Sequence, residues 1–403
     1  MKAEDISEAF NEINEDYIES ANEIRKPKLK KSSLIKWCSA IAAIAVICFI
    51  AAKAFNINAP IVYETDEGKT QYGGYDLPIL EILPDNAISY GYEAYMAYDI
   101  YELENKNPWN KNTVFETLPV FKNTSCNEVG IAYPGIGEEA MLKKIDSLTD
   151  GDHGTLKYTR IGDFTSGTGI PNDFVCSIEA TFGNCTIEIS SNGEIIGRYN
   201  GFDGIALPEE YNFTHSNTTD EEAFKAIAYI YENYGSIIGL NEATFVTTKE
   251  YTYSGDEIRS YKIYDFSGDE INDMLNFAFS EIQLAPDDFG NLMLIRINDK
   301  LSCGEKIADY PIISIEEATD MLIFGGYITT VPYEMPGKEY IARTELLYRS
   351  GSGENIWMPY YRFLVELPEC EQENGLKSFG AYYVPAVESE YISGLELWNG
   401  NFN

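Results

Sequence analysis

The residue types that most often carry catalysis are scarce in this chain of 403 residues. Only two histidines occur, His153 and His215, and a Ser-His-Asp or Cys-His arrangement would have to use one of them. Both lie in polar, turn-like segments, GDHG and NFTHSN, where an exposed histidine is the favoured interpretation. The HExxH, GxSxG, Walker A and complete GxGxxG motifs are absent. The sequence therefore predicts no catalytic residues and no enzymatic activity.

Two segments carry partial metal-binding or phosphate-binding patterns. Asp150-Gly151-Asp152 opens like a calcium loop, but Ile161 occupies the position of the bidentate glutamate, which excludes an EF-hand. The segment SGTGIP is turn chemistry, since a phosphate cradle needs a strand before it and a helix after it. A looser cation site around Asp287 and Asp288 stays open, although a solvated turn is favoured. We predict no cofactor and no metal site.

Abundant carboxylates and tyrosines keep one enzymatic alternative open. Paired carboxylates serve glycosidases. Four closely spaced tyrosines could stack on a sugar: Tyr90, Tyr92, Tyr95 and Tyr98. Their spacing fits neither a strand nor a helix throughout, so packing in a core or sheet is favoured. The alternative function is a cell-envelope ectoenzyme that hydrolyses glycan or peptide.

The charge balance restricts the partners of the protein. Asp and Glu number 65 against 29 Lys and Arg, which gives a net charge of −36. Such a surface repels nucleic acid, so no nucleic-acid partner is predicted. It could attract divalent cations or a basic protein, and a solvated surface is the plainer interpretation. Because aromatic residues make up 13% and apolar residues 44%, the chain has enough material for packed cores.

A single apolar run predicts a membrane anchor. A helix over residues 34–55 (LIKWCSAIAAIAVICFIAAKAF) would rise about 33 Å, enough to cross a bilayer core. Six basic residues precede or begin this run: Arg25, Lys26, Lys28, Lys30, Lys31 and Lys36. By the positive-inside rule, we expect a single-pass protein of the cell membrane with a cytoplasmic N-terminus and extracytoplasmic residues 56–403. The alternative is a cleaved secretory signal ending at Ala52-Lys53-Ala54.

The first residues have the pattern of an amphipathic helix. Apolar side chains recur with helical spacing at Ile6, Phe10, Ile13 and Tyr17. An isolated short helix is marginal in water, so this face needs a partner surface. We take these four residues as a candidate cytoplasmic docking face, with a fraying helix beside the membrane as the open alternative.

Three helices with similar openings organise the remainder of the chain. They begin at GEEA, DEEA and IEEA, and Thr219 and Ser314 are N-cap candidates with Glu222 and Glu317 completing capping boxes. Strand-like runs follow each helix. We predict an α+β fold in which each helix crosses an antiparallel sheet. The predicted divisions are a cytoplasmic helix and basic patch at 1–33, a transmembrane helix at 34–55, a stalk with entry strands at 56–117, and three α+β units at 118–213, 214–312 and 313–403.

Two parts of the chain resemble known families. The order of an acidic amphipathic helix, a basic patch (RKPKLKK) and a Trp-led apolar span is similar to single-pass anti-sigma-type membrane proteins of Firmicutes. The segments PIISIEEATDML, IARTELLYRS, WMPYYRFLVEL and AYYVPAVESEYI resemble the PepSY-type module and the extracytoplasmic regulators of the YycH and YycI kind. These resemblances imply repeated PepSY-like or YycI-like units in a non-catalytic ectodomain, and they bring no site residues.

These observations together predict a membrane-anchored, non-catalytic regulatory or sensory protein with an acidic extracytoplasmic binding domain. The expected partners are the lipid bilayer and a protein, such as a sensor kinase, a sigma factor or an envelope protein. A structural or adhesive spacer is a further alternative. We expect deletion of residues 1–24 to distinguish a regulatory protein from a spacer, since a spacer should tolerate the deletion without a transcriptional phenotype.

Overall fold

Antiparallel strands make up most of the regular structure. The computed structural model describes residues 77–83, 93–103, 107–126, 130–149, 151–163, 169–199, 205–238, 240, 242–351 and 353–400. Within these ranges the chain forms 19 strands and four α-helices. The helices are α1 (Gly137–Leu148), α2 (Asp220–Ile238), α3 (Glu270–Phe279) and α4 (Ile315–Ile323).

The strands follow in chain order. They are β1 (Leu80–Glu81), β2 (Ala94–Ala97), β3 (Thr117–Asn123), β4 (Thr155–Arg160), β5 (Val175–Phe182), β6 (Cys185–Ser190), β7 (Ile195–Tyr199), β8 (Ile205–Ala206), β9 (Ala243–Tyr251), β10 (Glu257–Asp265), β11 (Glu281–Pro286), β12 (Asn291–Ile297), β13 (Gly304–Pro311), β14 (Ile328–Thr329), β15 (Ile341–Tyr348), β16 (Ile356–Trp357), β17 (Pro359–Glu366), β18 (Lys377–Pro385) and β19 (Ile392–Ser393).

The largest sheet has nine strands in the order β4-β5-β6-β7-β12-β11-β10-β9, and β8 also pairs with β12. The pairing of β7 with β12 places Gly197 opposite Ile295 and joins the two halves of the sheet. Its neighbouring pairs are antiparallel, so side chains alternate between the two faces.

One face of this sheet is apolar. Ile178 opposes Ile189 in the first half, and Tyr261 opposes Leu284 in the second. Helix α1 packs on β5 and β6, and α2 packs on β9, so each half has its own apolar cluster. The other face carries charged and polar side chains, which we call the polar face: Glu179, Glu188, Thr248, Glu250, Ser260, Lys262, Glu281, Gln283 and Arg296.

A second sheet of five strands is built near the C-terminus. Its order is β14-β18-β17-β15, and β2 also pairs with β18. On β17 the residues Tyr361, Phe363 and Val365 belong to an apolar cluster that also contains residues of α3 and α4. The alternate residues form what we call the mixed face: Arg343, Glu345 and Leu347 from β15, Tyr360, Arg362 and Leu364 from β17, and Tyr383 from β18.

Smaller pairings connect distant parts of the chain. Strands β13, β3 and β16 form a three-stranded sheet, and β1 pairs in parallel with β19. Helix α3 packs on β10 and β11 of the large sheet and also on β15 of the five-stranded sheet. It therefore closes one side of the space between the polar face and the mixed face.

The predicted helix starts are confirmed. Helix α4 begins after Ser314, whose Oγ accepts from the N–H of Glu317 at 3.2 Å, while Glu317 Oε2 accepts from the N–H of Ser314 at 2.8 Å. Thr219 and Glu222 form the same reciprocal pair before α2. Both capping boxes are present, as the spacing predicts.

The predicted fold class is wrong. The described residues are mostly β, and the sheets are not PepSY-like or YycI-like helix units repeated along the chain. The reason is non-local pairing: strands of the ranges 118–213 and 214–312 share one sheet through β7 and β12. Strand β2 completes a sheet with β18, which lies far from it in sequence. Residue spacing predicts where helices begin, but it does not predict which distant strands pair.

The predicted membrane topology is also corrected. Among the described residues no helix combines the length and apolar character needed to cross a membrane. The prediction of a single-pass transmembrane protein of the cell membrane is therefore withdrawn. The apolar run at 34–55 and the docking-face residues Ile6, Phe10, Ile13 and Tyr17 lie outside the described residues.

Candidate functional site

A cleft of about 580 Å³ lies between the polar face and the mixed face. Strands β9 to β12 supply one wall, β15, β17 and β18 supply the opposite wall, and Met274, Phe277 and Ala278 of α3 contribute a side. The volume falls within the range of small-molecule sites, about 300–1,000 Å³. We call this space the inter-sheet cleft.

The lining of the cleft differs in charge from the rest of the chain. Within the described part of the chain, five cationic residues line it, whereas the whole sequence has 29 Lys and Arg: Lys249, Lys262, Arg343, Arg349 and Arg362. Four acidic residues of the described part do so, against 65 Asp and Glu in the whole sequence: Glu93, Glu250, Glu281 and Glu354. A protein with a net charge of −36 thus gathers cations around one concave site.

Arg362 is the buried centre of the mixed face. Its Nη2 lies 2.6 Å and its Nε 3.2 Å from Glu345 Oε2, and its Nη1 lies 3.0 Å from Glu93 Oε1. Burial opposes its charge, but Glu345 and the neighbouring tyrosines and Glu93 raise the pKa of Arg362 well above its usual value. The guanidinium therefore stays charged, and its carboxylate partners keep their positions.

Two tyrosines hold the carboxylate of Glu93. The Tyr95 hydroxyl donates to Oε1 and the Tyr383 hydroxyl to Oε2, both at 2.5 Å. Burial acts to raise the pKa of Glu93, but the Arg362 charge and these two hydrogen bonds outweigh it and lower that pKa. Glu93 is thus an ionised, firmly positioned acceptor at the edge of the cleft.

Arg349 and Glu354 form a second ion pair on this wall. Arg349 Nε lies 3.0 Å from Glu354 Oε1, and Arg349 Cζ lies 4.5 Å from the centroid of the Tyr383 ring. This stacking on the Tyr383 ring restricts the orientation of the Arg349 guanidinium group. Arg343 donates to the carbonyl oxygens of Leu103 and Ile100.

The polar face contributes an ion pair from neighbouring strands. Lys262 Nζ lies 2.6 Å from Glu281 Oε2 and 5.2 Å from the centroid of the Phe277 ring. Glu281 Oε1 also accepts from Gln283 Nε2 at 2.5 Å. Asn298 Nδ2 donates to the same oxygen at 3.4 Å, and because Glu281 is 6% exposed, its carboxylate depends on these three partners.

Glu250 is the exception among the carboxylates of the cleft. It lies on β9, half-buried, and within the described residues it has neither a hydrogen bond nor an ion pair. Burial raises the pKa of Glu250. Neighbouring Lys249 is already paired with Glu257, at 2.9 Å between Nζ and Oε2.

One pair beside the cleft has residue types found in hydrolases. Lys300 Nζ lies 3.1 Å from Ser350 Oγ, and burial lowers the pKa of Lys300. The same Nζ also donates to the Ser350 carbonyl oxygen at 3.0 Å, and the N–H of Gly351 is donated to Glu354 Oε2 at 2.9 Å. In sequence, the Gly351 N–H is the nearest group to Ser350 that could stabilise an oxyanion, and it already donates to Glu354. The geometry supports a structural hydrogen bond between two segments.

The residues considered from the sequence lie largely elsewhere. His153 contacts Asp146, and His215 Nε2 lies 3.2 Å from Asp288 Oδ1; their side chains are 44% and 39% exposed. Asp287 Oδ1 accepts from two backbone N–H groups of its own turn, each at 2.8 Å. No cluster of metal-binding side chains occurs in the part of the chain that the structure describes.

The tyrosine series is divided. Tyr95 lines the cleft, Tyr98 makes an edge contact with the Tyr251 ring at 5.4 Å between centroids, and Tyr90 and Tyr92 lie outside the described residues. They do not form one stacking face in the described part.

The charged cluster around Arg362 was not predicted from the sequence. One signal was available: Arg362 is a lone cation in the largely apolar run YYRFLV, and a charged side chain on a packed strand needs partners. A buried arginine requires carboxylate partners, but spacing alone does not reveal that these are Glu345 and Glu93. Comparison with known proteins adds no family: the chain matches no protein-family model, and no curated protein or solved structure is significantly similar to it.

Proposed function

We propose that the protein is a non-catalytic binding protein with a sensory or regulatory role, and that the inter-sheet cleft takes a small charged ligand. The observation that supports this most is the cleft itself, about 580 Å³ in volume and lined by nine charged residues of the described part. Most of these side chains are already fixed by partners within the protein, so a ligand would meet a preorganised polar surface.

The arrangement supports binding over catalysis. The tyrosine and carboxylate hydrogen bonds hold Glu93 ionised, which suits an acceptor and does not suit an acid that must give up a proton near neutral pH. The N–H of Gly351, next to Ser350 in the chain, is already donated to Glu354 Oε2. A site that positions charges without an activated nucleophile is suited to recognition.

A regulatory role requires a second protein that responds to the ligand-bound state. The net charge of −36 favours a partner with a basic contact surface and disfavours nucleic acid. We therefore propose a protein partner. The cleft would bind the ligand, and the acidic exterior would contact the partner protein.

Thermal unfolding of the full chain tests the ligand site. The panel would hold amino acids, short peptides, dicarboxylates, phosphates and polyamines. We expect at least one class to raise the Tm of the wild type, because a ligand that binds only the folded state stabilises it.

The blocking variant is Ser260→Trp. Ser260 lines the cleft and is exposed, so a large side chain there fills the site without entering a core. The control is Ser147→Trp, at an exposed position of α1. We expect S260W to lose the Tm increase and S147W to keep it. The proposal fails if no class raises the Tm, or if S260W responds as the wild type does.

A further inference from the structure

We propose that the inter-sheet cleft binds a short peptide with free ends, its ammonium group at Glu250 and its carboxylate group at Lys262. This identification of the ligand class rests on the proposed function. It is argued from the side chains of the polar face that have hydrogen-bonding capacity left over after the contacts within the protein are counted.

Glu250 provides the site for the ammonium group. It is the one carboxylate of the cleft lining without a hydrogen bond or ion pair among the described residues. A half-buried carboxylate is stabilised by an opposite charge within about 4–6 Å. The cations of the lining are engaged by other groups: Lys249 by Glu257, and Arg362 by Glu345 and Glu93. A ligand ammonium group would therefore supply the positive charge that the Glu250 carboxylate lacks within the protein.

Lys262 provides the site for the carboxylate group. An ammonium group has three N–H donors. Among the described residues, Lys262 is paired only with Glu281, with 2.6 Å between Nζ and Oε2. The remaining donors are available to a ligand anion. The Phe277 ring below the Nζ restricts its direction.

Two hydroxyl groups lie between these ends. Thr248 and Ser260 are directly opposed in the pairing of β9 with β10, on the face that also carries Glu250 and Lys262. Neither hydroxyl has a partner among the described residues. The N–H and C=O groups of a bound peptide need hydrogen bonds, and hydroxyl groups can both donate and accept.

The register sets the length of the ligand. Glu250 is opposite Ile258, and Lys262 lies four residues further along β10, so the two positions are about 14 Å apart along the strands. The Glu and Lys side chains span part of this distance. Because an extended chain covers at most about 3.5 Å per residue, a peptide of roughly three residues bridges the remainder.

The cleft has a negative group, Glu250, at one end and a positive group, Lys262, at the other, which disfavours ligands whose charges all have the same sign. A polyanion would place a negative group against Glu250, and a polyamine would place a positive group against Lys262. A zwitterion of the proposed length places an opposite charge at each end. Amino acids are too short to reach both positions.

Calorimetric titration of the full chain tests the assignment, with Ala-Ala-Ala as the probe. Acetyl-Ala-Ala-Ala removes the ammonium group, and Ala-Ala-Ala-amide removes the carboxylate. Chemical capping avoids a Lys262 substitution, which would leave the buried Glu281 without its cation. We expect each cap to weaken binding roughly tenfold or more, the size of a lost charge-assisted hydrogen bond.

Glu250→Gln identifies the ammonium end. In this variant the free and the acetylated peptides should bind with similar affinity, whereas the amide should still be weaker than the free peptide. Glu232→Gln, at an exposed position of α2, is the matched control and should behave as the wild type. The peptide proposal is overturned if capping has no effect, or if E250Q distinguishes the free from the acetylated peptide as the wild type does.

The test separates two failures. If Ala-Ala-Ala does not bind but another class raises the Tm in a manner that S260W abolishes, the ligand class is wrong and the binding function stands. If no class produces such a Tm increase, both proposals are wrong.

Discussion

Arg362 and Glu345 form an ion pair with 2.6 Å between Nη2 and Oε2, and each residue is 6% exposed. The two lie opposite one another on β17 and β15, where the register places Glu345 against Arg362. Removal of one partner leaves an uncompensated buried charge, which costs more than the pair contributes as a whole. The charged wall of the cleft therefore depends on both residues together.

Arg362→Met should lower the free energy of unfolding by about 3–5 kcal/mol. Arg198→Met is the control, because Arg198 and Glu188 form a pair of similar length, 3.0 Å, on side chains that are 39% and 26% exposed. The control should cost less than about 1 kcal/mol. Urea denaturation of both variants measures the difference.

The double variant R362M/E345M should recover part of the stability lost in R362M, since it also removes the buried charge of Glu345, while Glu93 still lacks Arg362. Equal costs for R362M and R198M, or a double variant that is no more stable than R362M, would contradict a coupled buried pair.

Glu93 makes stability depend on acidic pH in a defined direction. The pKa of Glu93 in the folded protein lies below 4.5, the usual value for glutamate, so the folded state binds fewer protons than the unfolded state as pH falls below 4.5. The stability that ionised Glu93 contributes is present above pH 4.5 and is lost as pH falls through the folded pKa. Glu93→Gln should therefore be less stable than the wild type at pH 6, with a gap that narrows on acidification. A gap independent of pH would contradict this, as measured by urea unfolding between pH 6 and pH 3.

Glu250 should show the opposite dependence. Burial raises its pKa, so the folded state binds more protons than the unfolded state between the unfolded value near 4.5 and the folded value. The contribution of Glu250 to stability should fall as pH rises through this window, because an unpaired carboxylate must ionise in a half-buried position. Glu250→Gln should be more stable than the wild type at pH 7, and the difference should shrink toward pH 4. Equal stability at pH 7 would show that Glu250 is solvated or paired.

The cap of α4 gives a local test of the fold. Ser314→Ala removes the acceptor for the Glu317 N–H and should cost about 1 kcal/mol. Thr219→Ala at α2 should have a similar cost, because its capping box has the same geometry. Thermal unfolding measures both, and a cost near zero for both variants would contradict the capping assignment.

Local signals predicted local structure well. The spacing from Ser314 to Glu317 predicts the start of α4, and the strand-like runs predicted after that helix include β17. These features depend on neighbouring residues, so the sequence contains the information directly. The pairing of β7 with β12 and of β2 with β18 depends on contacts between distant residues, and no spacing rule reports it.

The cleft could not be predicted for the same reason. Glu93 and Arg362 are 269 positions apart in the chain, and they meet because β2 and β17 both pair with β18. Glu250 joins them from the other sheet. Only the type of Arg362, a cation within an apolar strand, pointed to a buried partner.

The central claim is that the inter-sheet cleft is the binding site, and hydrogen–deuterium exchange of the full chain tests it most directly. The probe is the panel compound that raises the Tm most. We expect slower exchange in β9, β10 and α3, which line the cleft, and unchanged exchange in β4 and β5, which do not. Unchanged exchange around the cleft, or protection confined to β4 and β5, would contradict it.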